Sequence, residues 1–217
     1  MLWQARRGLV AGSGALAAGG SVTYATFDGV ASNATLSNGN LTVTHSNTSV
    51  GGGRSTAQKN SGKFYFEVTV NSIAGNNSCI AVATAAATYS NFVTSGSNAA
   101  LAFKISGSIW SNDIQQSHFL GDLAASDDIG VAIDLDNHQA WFRKAPSGEW
   151  NPTQIPVADP ASNVGGVSIS NYNATTLAPA VGFGGTGTAA NEAFTANFGA
   201  SAFSGAVPSG FTSGWPA

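Results

Sequence analysis

From Val22 onward, apolar and polar residues alternate in short runs cut by Gly, Asn and Ser. In SGKFYFEVTV, Phe64, Phe66, Val68 and Val70 fall on one side of an extended chain, with Tyr65, Glu67 and Thr69 on the other. A period of two belongs to a strand with one buried face. DDIGVAIDLD repeats the pattern with Ile129, Val131, Ile133 and Leu135 inward. It then passes through Asp136-Asn137 into HQAWFRKA, which predicts a hairpin. On the return strand Trp141 and Phe142 are adjacent, so one meets the core and the other a neighbouring segment. LTVTHS, CIAVATAA, ALAFKIS, GVSIS, LAPAVGF and EAFTANFG bring the set to about ten strands or more, and no stretch sustains an amphipathic helical period. WNPTQIPVADP, with three prolines, reads as one long loop. Strands so spaced predict an all-β chain, an antiparallel two-sheet β-sandwich occupying residues 22–217.

Composition sharpens this picture. Only 9% of the 217 residues are charged, against roughly 25% in an ordinary soluble domain. Polarity comes instead from Ser, Thr, Asn and Gly, which favour turns and strands over helices. A net charge of −3 supplies no basic field, which argues against a nucleic-acid partner. Cys79 is the only cysteine, so no intrachain disulfide can form. Its apolar surroundings predict a buried, inert thiol.

The opening MLWQARRGLVAGSGALAAGG has a different character. Arg6 and Arg7 followed by small residues outline an export signal with possible cleavage near Tyr24-Ala25, but Leu9, Val10 and Leu16 make a poor apolar centre. The stretch is also too short and too weakly apolar to span a bilayer. We expect residues 1–21 to be a retained, extended N-terminal arm with a Gly-rich spacer. Leu2, Trp3 and Leu9 would seat in a partner's apolar groove, and Arg6 and Arg7 would pair with acidic groups beside it. The alternative is an arm folded back on its own domain.

The body resembles the SPRY domain, a β-sandwich related to the concanavalin A-like lectin and glucanase fold. The matching pieces stand in family order: LSNGNLTVTH, SGKFYFEVTV, IGVAIDLDNHQAWFRK, LAPAVGF, TANFGASAF and VPSGF. The third, a hydrophobic strand, acidic turn and aromatic strand, carries most of the likeness. The resemblance implies a jelly-roll-like sandwich that recognises partners through loops. The RRGL start, its Gly-rich spacer and a lectin-like sandwich together look like a tailed-bacteriophage structural protein. That likeness implies a virion component of the tail, fibre or capsid decoration, with the arm on other virion proteins and the sandwich toward a host-surface glycan or protein. The alternative is a free or exported bacterial lectin-like module, hence an extracellular one.

Enzyme signatures are weak. Glucanases of the related fold need closely spaced carboxylates, whereas Glu67, Glu149 and Glu192 lie far apart in sequence. Asp134 and Asp136 can share a strand face but end in what reads as a solvated turn. With Asn137 they offer oxygen ligands, yet no Gly at the sixth position or Glu at the twelfth completes a calcium loop. His45, His118 and His138 lack zinc spacing. GFGGTG at 182–187 leads into another strand instead of a helix, and so reads as a glycine-rich hairpin loop with no place for a pyrophosphate. We therefore expect no catalytic site, metal or cofactor. What remains is recognition by exposed aromatics in polar loops, for which the candidates are Tyr89, Phe92, Trp110, His118, Trp150 and Tyr172.

Overall fold

The computed structural model describes residues 22–30, 33–75, 77–90, 100–111, 114–152, 157–172, 175–184 and 191–217. The five arm residues Leu2, Trp3, Arg6, Arg7 and Leu9 lie outside this set, as does Phe92. Strands β1 (Phe27–Val30), β2 (Ala34–Ser37), β3 (Thr42–His45), β4 (Gly51–Ser55) and β5 (Lys63–Ser72) come first. Next are β6 (Cys79–Thr84), β7 (Ala100–Lys104), β8 (Ser108–Ser111), β9 (Ile114–Phe119) and β10 (Asp128–Asp134). The chain continues with β11 (Gln139–Ala145), β12 (Val167–Ser168), β13 (Leu177–Phe183), β14 (Ala193–Asn197) and β15 (Thr212–Ser213).

They form two sheets. The first runs β1-β4-β13-β6-β7-β8-β9, and the second β12-β11-β10-β5-β14-β3-β2 with β15 beside β5. All pairings are antiparallel except β15 with β5. The β10–β11 hairpin has Asp134 opposite Gln139 and Val131 opposite Phe142, as the alternating pattern requires. The strands around GFGGTG do not pair with each other: β13 belongs to the first sheet and β14 to the second. β13 and β14 are therefore not the two arms of a hairpin, which corrects that expectation. Local alternation cannot reveal which sheet a strand joins.

The core lies between the inner faces. Phe64, Phe66, Val68, Val70, Ile129, Val131 and Ile133 from the second sheet meet Ile80, Val82, Leu101, Phe103 and Val181 from the first. Ring contacts across the interface include Phe103 with Phe142 at 5.3 Å and Phe183 with Phe194 at 5.2 Å. Phe142 is the inward aromatic of its strand. Trp141 faces out, meets Phe211 edge-on and donates its indole N–H to the Val164 carbonyl at 2.8 Å.

The outer face of the second sheet is covered by the C-terminal segment. Tyr65, Ala132 and Trp141 are buried there under Trp150, Phe203, Val207 and Phe211. Glu67, only 3% exposed, accepts the Tyr65 hydroxyl and the Gly205 N–H on one oxygen and the Ser204 N–H on the other. Burial and the Glu67 carboxylate push the Tyr65 phenol up, so it remains a donor. Beyond this strap the chain returns as β15 and sets Trp215 in the core against Phe64 and Phe66, its indole N–H on the Ala57 carbonyl. The body's two ends then pair: Ala25 N–H donates to Trp215 O, and Ala217 N–H to Thr23 O.

Asp134 corrects the solvated-turn expectation. It is fully buried, while Asp136 is exposed and accepts the Gly62 N–H. Burial alone would raise the Asp134 carboxyl. The Lys63 ammonium at 2.8 Å, with the side-chain and backbone donors of Asn137, outweighs burial and holds it below the ordinary 3.8. A depressed folded-state value means that the unfolded chain takes up the proton first as pH falls. The interaction is therefore complete above the ordinary carboxylate range and is lost below it, toward the folded value. Urea unfolding should show Lys63→Met less stable than wild type at about pH 6, with the difference shrinking toward about pH 3. An equal difference at both values would contradict this assignment.

Candidate functional site

β5 fixes the polarity of the sandwich. It starts at Lys63, beside β15 and the paired chain ends, and finishes at Ser72 at the opposite, distal end. The distal end also receives the β7–β8 turn and the segment leading into β10. Between these elements lies a cavity of about 380 Å³ lined by Ile73, Gly75, Ile105, Ser106, Asp122 and Leu123.

Each wall of the cavity is held from behind. Ile105 N–H donates to Ser78 O, Leu123 N–H to Ile105 O and Leu120 N–H to Gly107 O, which ties the turn to the segment facing it. Gly107 has φ +80, and a Cβ there would lie 2.5 Å from the Gly121 carbonyl oxygen. On the second wall, the Ala74 and Gly75 N–H groups donate to Glu192 Oε1. Glu192 is fully buried, with its other oxygen 3.5 Å from Nδ1 of the equally buried His45. His45 donates from Nε2 to the Ser49 carbonyl and stacks on Phe183. Asp122 stands exposed at the rim, and Lys144 bridges the segment by donating to the Asp122 carbonyl and pairing with Asp127 at 2.9 Å. Aliphatic walls with one hydroxyl and one rim carboxylate suit an apolar group that carries a hydrogen-bond donor.

Three solved structures share this architecture at low sequence identity. The SPRY domain of human HERC1 superposes with a TM-score of 0.59 at 17% identity, covering 78% of this chain and 96% of that one. The TRIM65 PSpry domain gives 0.57 at 15%, covering 80% and 92%. A human SPRY domain gives 0.55 at 14%, covering 81% and 100%. The fold is that of a SPRY domain. No family model matches the sequence, and no curated protein matches it.

On this SPRY-type sandwich the aromatics singled out from sequence do not converge. Tyr89 and Trp110 lie on the outer face of the first sheet, where Cys79, Ala81, Ala83, Ala100, Ala102 and Ala180 form a buried cluster of small residues. Tyr89 packs over Gly52, where a Cβ would come within 2.7 Å of its ring. Trp110 is half-buried under the Lys104 ammonium, 4.9 Å from its centroid, and donates to Ser108 Oγ, which contacts Ser106 Oγ of the distal cavity. Trp150 is on the opposite sheet, its ring covered by the Arg143 guanidinium at 4.4 Å. Tyr172 is 1% exposed and donates its hydroxyl to the Ala100 carbonyl, so its ring has no face to offer a ligand. Its short 3₁₀ turn, Ser170–Tyr172, directs it into the core, which a loop-like sequence context hides. His118 is in β9, with its side chain outside the described set. Cys79 is buried as expected, and burial pushes its thiol up to about 12.

The cavity residues were not singled out from sequence, though a signal was present. Ile73-Ala-Gly75, Ile105-Ser-Gly107 and Gly121-Asp-Leu123 each place an aliphatic residue two positions from a glycine turn. Gly107→Ala should open this end. The expected cost is about 2 kcal/mol by urea unfolding, with faster amide exchange at Leu120 and Leu123. Wild-type exchange there would show that the close approach does not hold the cavity.

Proposed function

We propose that the chain is a non-enzymatic interaction module of a tailed-bacteriophage particle. Residues 1–21 hold it to another virion protein, and the distal end of the sandwich faces the host surface or a neighbouring virion protein. The observation that carries this reading is the placement of the body's paired ends at one end of the sandwich and the 380 Å³ cavity at the other. A module tethered through its N-terminal arm turns such loops outward. The Arg6-Arg7-Gly8-Leu9 start and Gly-rich spacer support the virion setting by their likeness to phage structural proteins.

The buried carboxylates favour binding over catalysis. Glu67 holds the C-terminal strap, Glu192 holds Ala74 and Gly75, and Asp134 holds Lys63 and Asn137. A retaining or inverting glycosidase needs two carboxyl groups free to act across a bound sugar bond. These three are committed to fixing backbone and turns.

The test is a full-length Trp3→Ala/Arg6→Ala/Arg7→Ala variant supplied during phage assembly. Incorporation into purified particles should fall about tenfold or more, as when anchor residues are removed from an interface, while the sandwich keeps its melting temperature. Normal incorporation would contradict the anchoring role.

A further inference from the structure

We infer that a second depression, on the outer face of the second sheet, binds a neutral sugar residue. It has a volume of about 260 Å³, and its polar groups converge from β5, β10, β14, the turn after β2 and residues 201–204. That space holds one pyranose ring with little room to spare. The site lies on a sheet face, not in the distal cavity, and does not depend on the arm.

Hydrogen-bond accounting identifies the ligand class. The donors inside the depression are already held by the fold. Thr69 and Ser204 hydroxyls donate to the two oxygens of Asp128, and Ser204 N–H to Glu67. The Asn197 amide donates to the Ser201 and Ala202 carbonyls, and the Thr195 hydroxyl to Asn71. The acceptors are not exhausted. Each Asp128 oxygen has one such partner and room for another, and the Thr69 and Ser204 hydroxyl oxygens keep lone pairs. A ligand must therefore bring donors to the floor of the site. At the rim, the exposed Asn38 amide and Ser201 hydroxyl remain to donate, so the ligand must also accept.

Three classes separate on this basis. Phosphates, uronic acids and other anions meet two carboxylates and are repelled. A simple ammonium satisfies the acceptors but leaves the rim donors without partners. A pyranoside does both: vicinal hydroxyls donate to the two oxygens of Asp128, while ring and hydroxyl oxygens accept from Asn38 and Ser201. Leu41, Ala196 and Ala202 supply apolar contact for the C–H edge of the ring. Among the described residues no aromatic lines the depression, which sets this site apart from the aromatic platforms expected from the loops.

The experiment titrates the full-length protein with methyl α-glucoside, methyl α-galactoside, methyl α-mannoside and N-acetylglucosamine, followed by amide NMR. Methylammonium and glucuronate are the charged comparisons. At least one neutral sugar should bind with a Kd on the order of 1 mM, shifting the amides of Thr69, Thr195 and Ser204. Asp128→Asn should weaken it by about tenfold or more. Ala202→Tyr, at an exposed position, should fill the depression and weaken binding as much without lowering the melting temperature. The inference is overturned if none of the four sugars shifts these amides, if only methylammonium or glucuronate does, or if binding survives Ala202→Tyr. The arm variant leaves all of these outcomes unchanged, so the two proposals fail separately.

Discussion

The structure turns on the carboxylate of Glu67. It sits on the outward side of β5, where the alternating pattern calls for solvent, yet it is almost completely buried. An uncompensated carboxylate in such a place would cost several kcal/mol. The Tyr65 hydroxyl and the Ser204 and Gly205 N–H groups meet that cost together. Two of those donors belong to the C-terminal segment, so satisfying Glu67 and covering the sheet are one event. Once residues 203–211 lie over Tyr65 and Trp141, the chain is placed to pair as β15 and to insert Trp215. Trp215 in turn holds Ala25, just before the first strand of the sandwich.

This closure gives the sandwich its direction. One end carries the paired chain ends, and the other carries the cavity framed by Gly107 and by the Glu192–His45 pair. Between them, the outer faces are built differently. The first sheet carries a buried cluster of small residues with Tyr89 and Trp110 at its margins, and the second carries hydroxyls, amides and the Asp128 carboxylate beside the strap. With so few charges, long-range fields can do little to recruit a partner. Recognition by such surfaces rests on shape and short-range hydrogen bonds.

Much of the fold was legible in sequence because burial and alternation coincide on the inner faces. Phe64, Phe66, Val68 and Val70 point into the core as their spacing demands, and the hairpin at Asp136-Asn137 forms where the pattern breaks. Three features were not legible, each for a non-local reason. Glu67 and Tyr65 read as a solvated face because the strap that covers them lies more than 130 residues away. Asp134 read as turn polarity because its partner Lys63 belongs to another strand of the sheet. GFGGTG read as a hairpin because nothing local says that β13 and β14 join different sheets. Of the candidate site, Trp110 is linked to the distal cavity through Ser108 and Ser106, whereas Tyr172 is a core residue. Single aromatics in Ser/Asn-rich stretches do not reveal which way they face.

The most direct test of this account is amide hydrogen exchange in Glu67→Gln. A glutamine cannot accept from Tyr65, Ser204 and Gly205 at once without turning its own N–H₂ toward a donor, which should cost about 1–3 kcal/mol. Protection should fall first at Ser204, Gly205 and Trp215, while β6, β7 and β13 of the first sheet keep theirs. Unchanged protection at Ser204, Gly205 and Trp215 would contradict the claim that this carboxylate closes the sandwich.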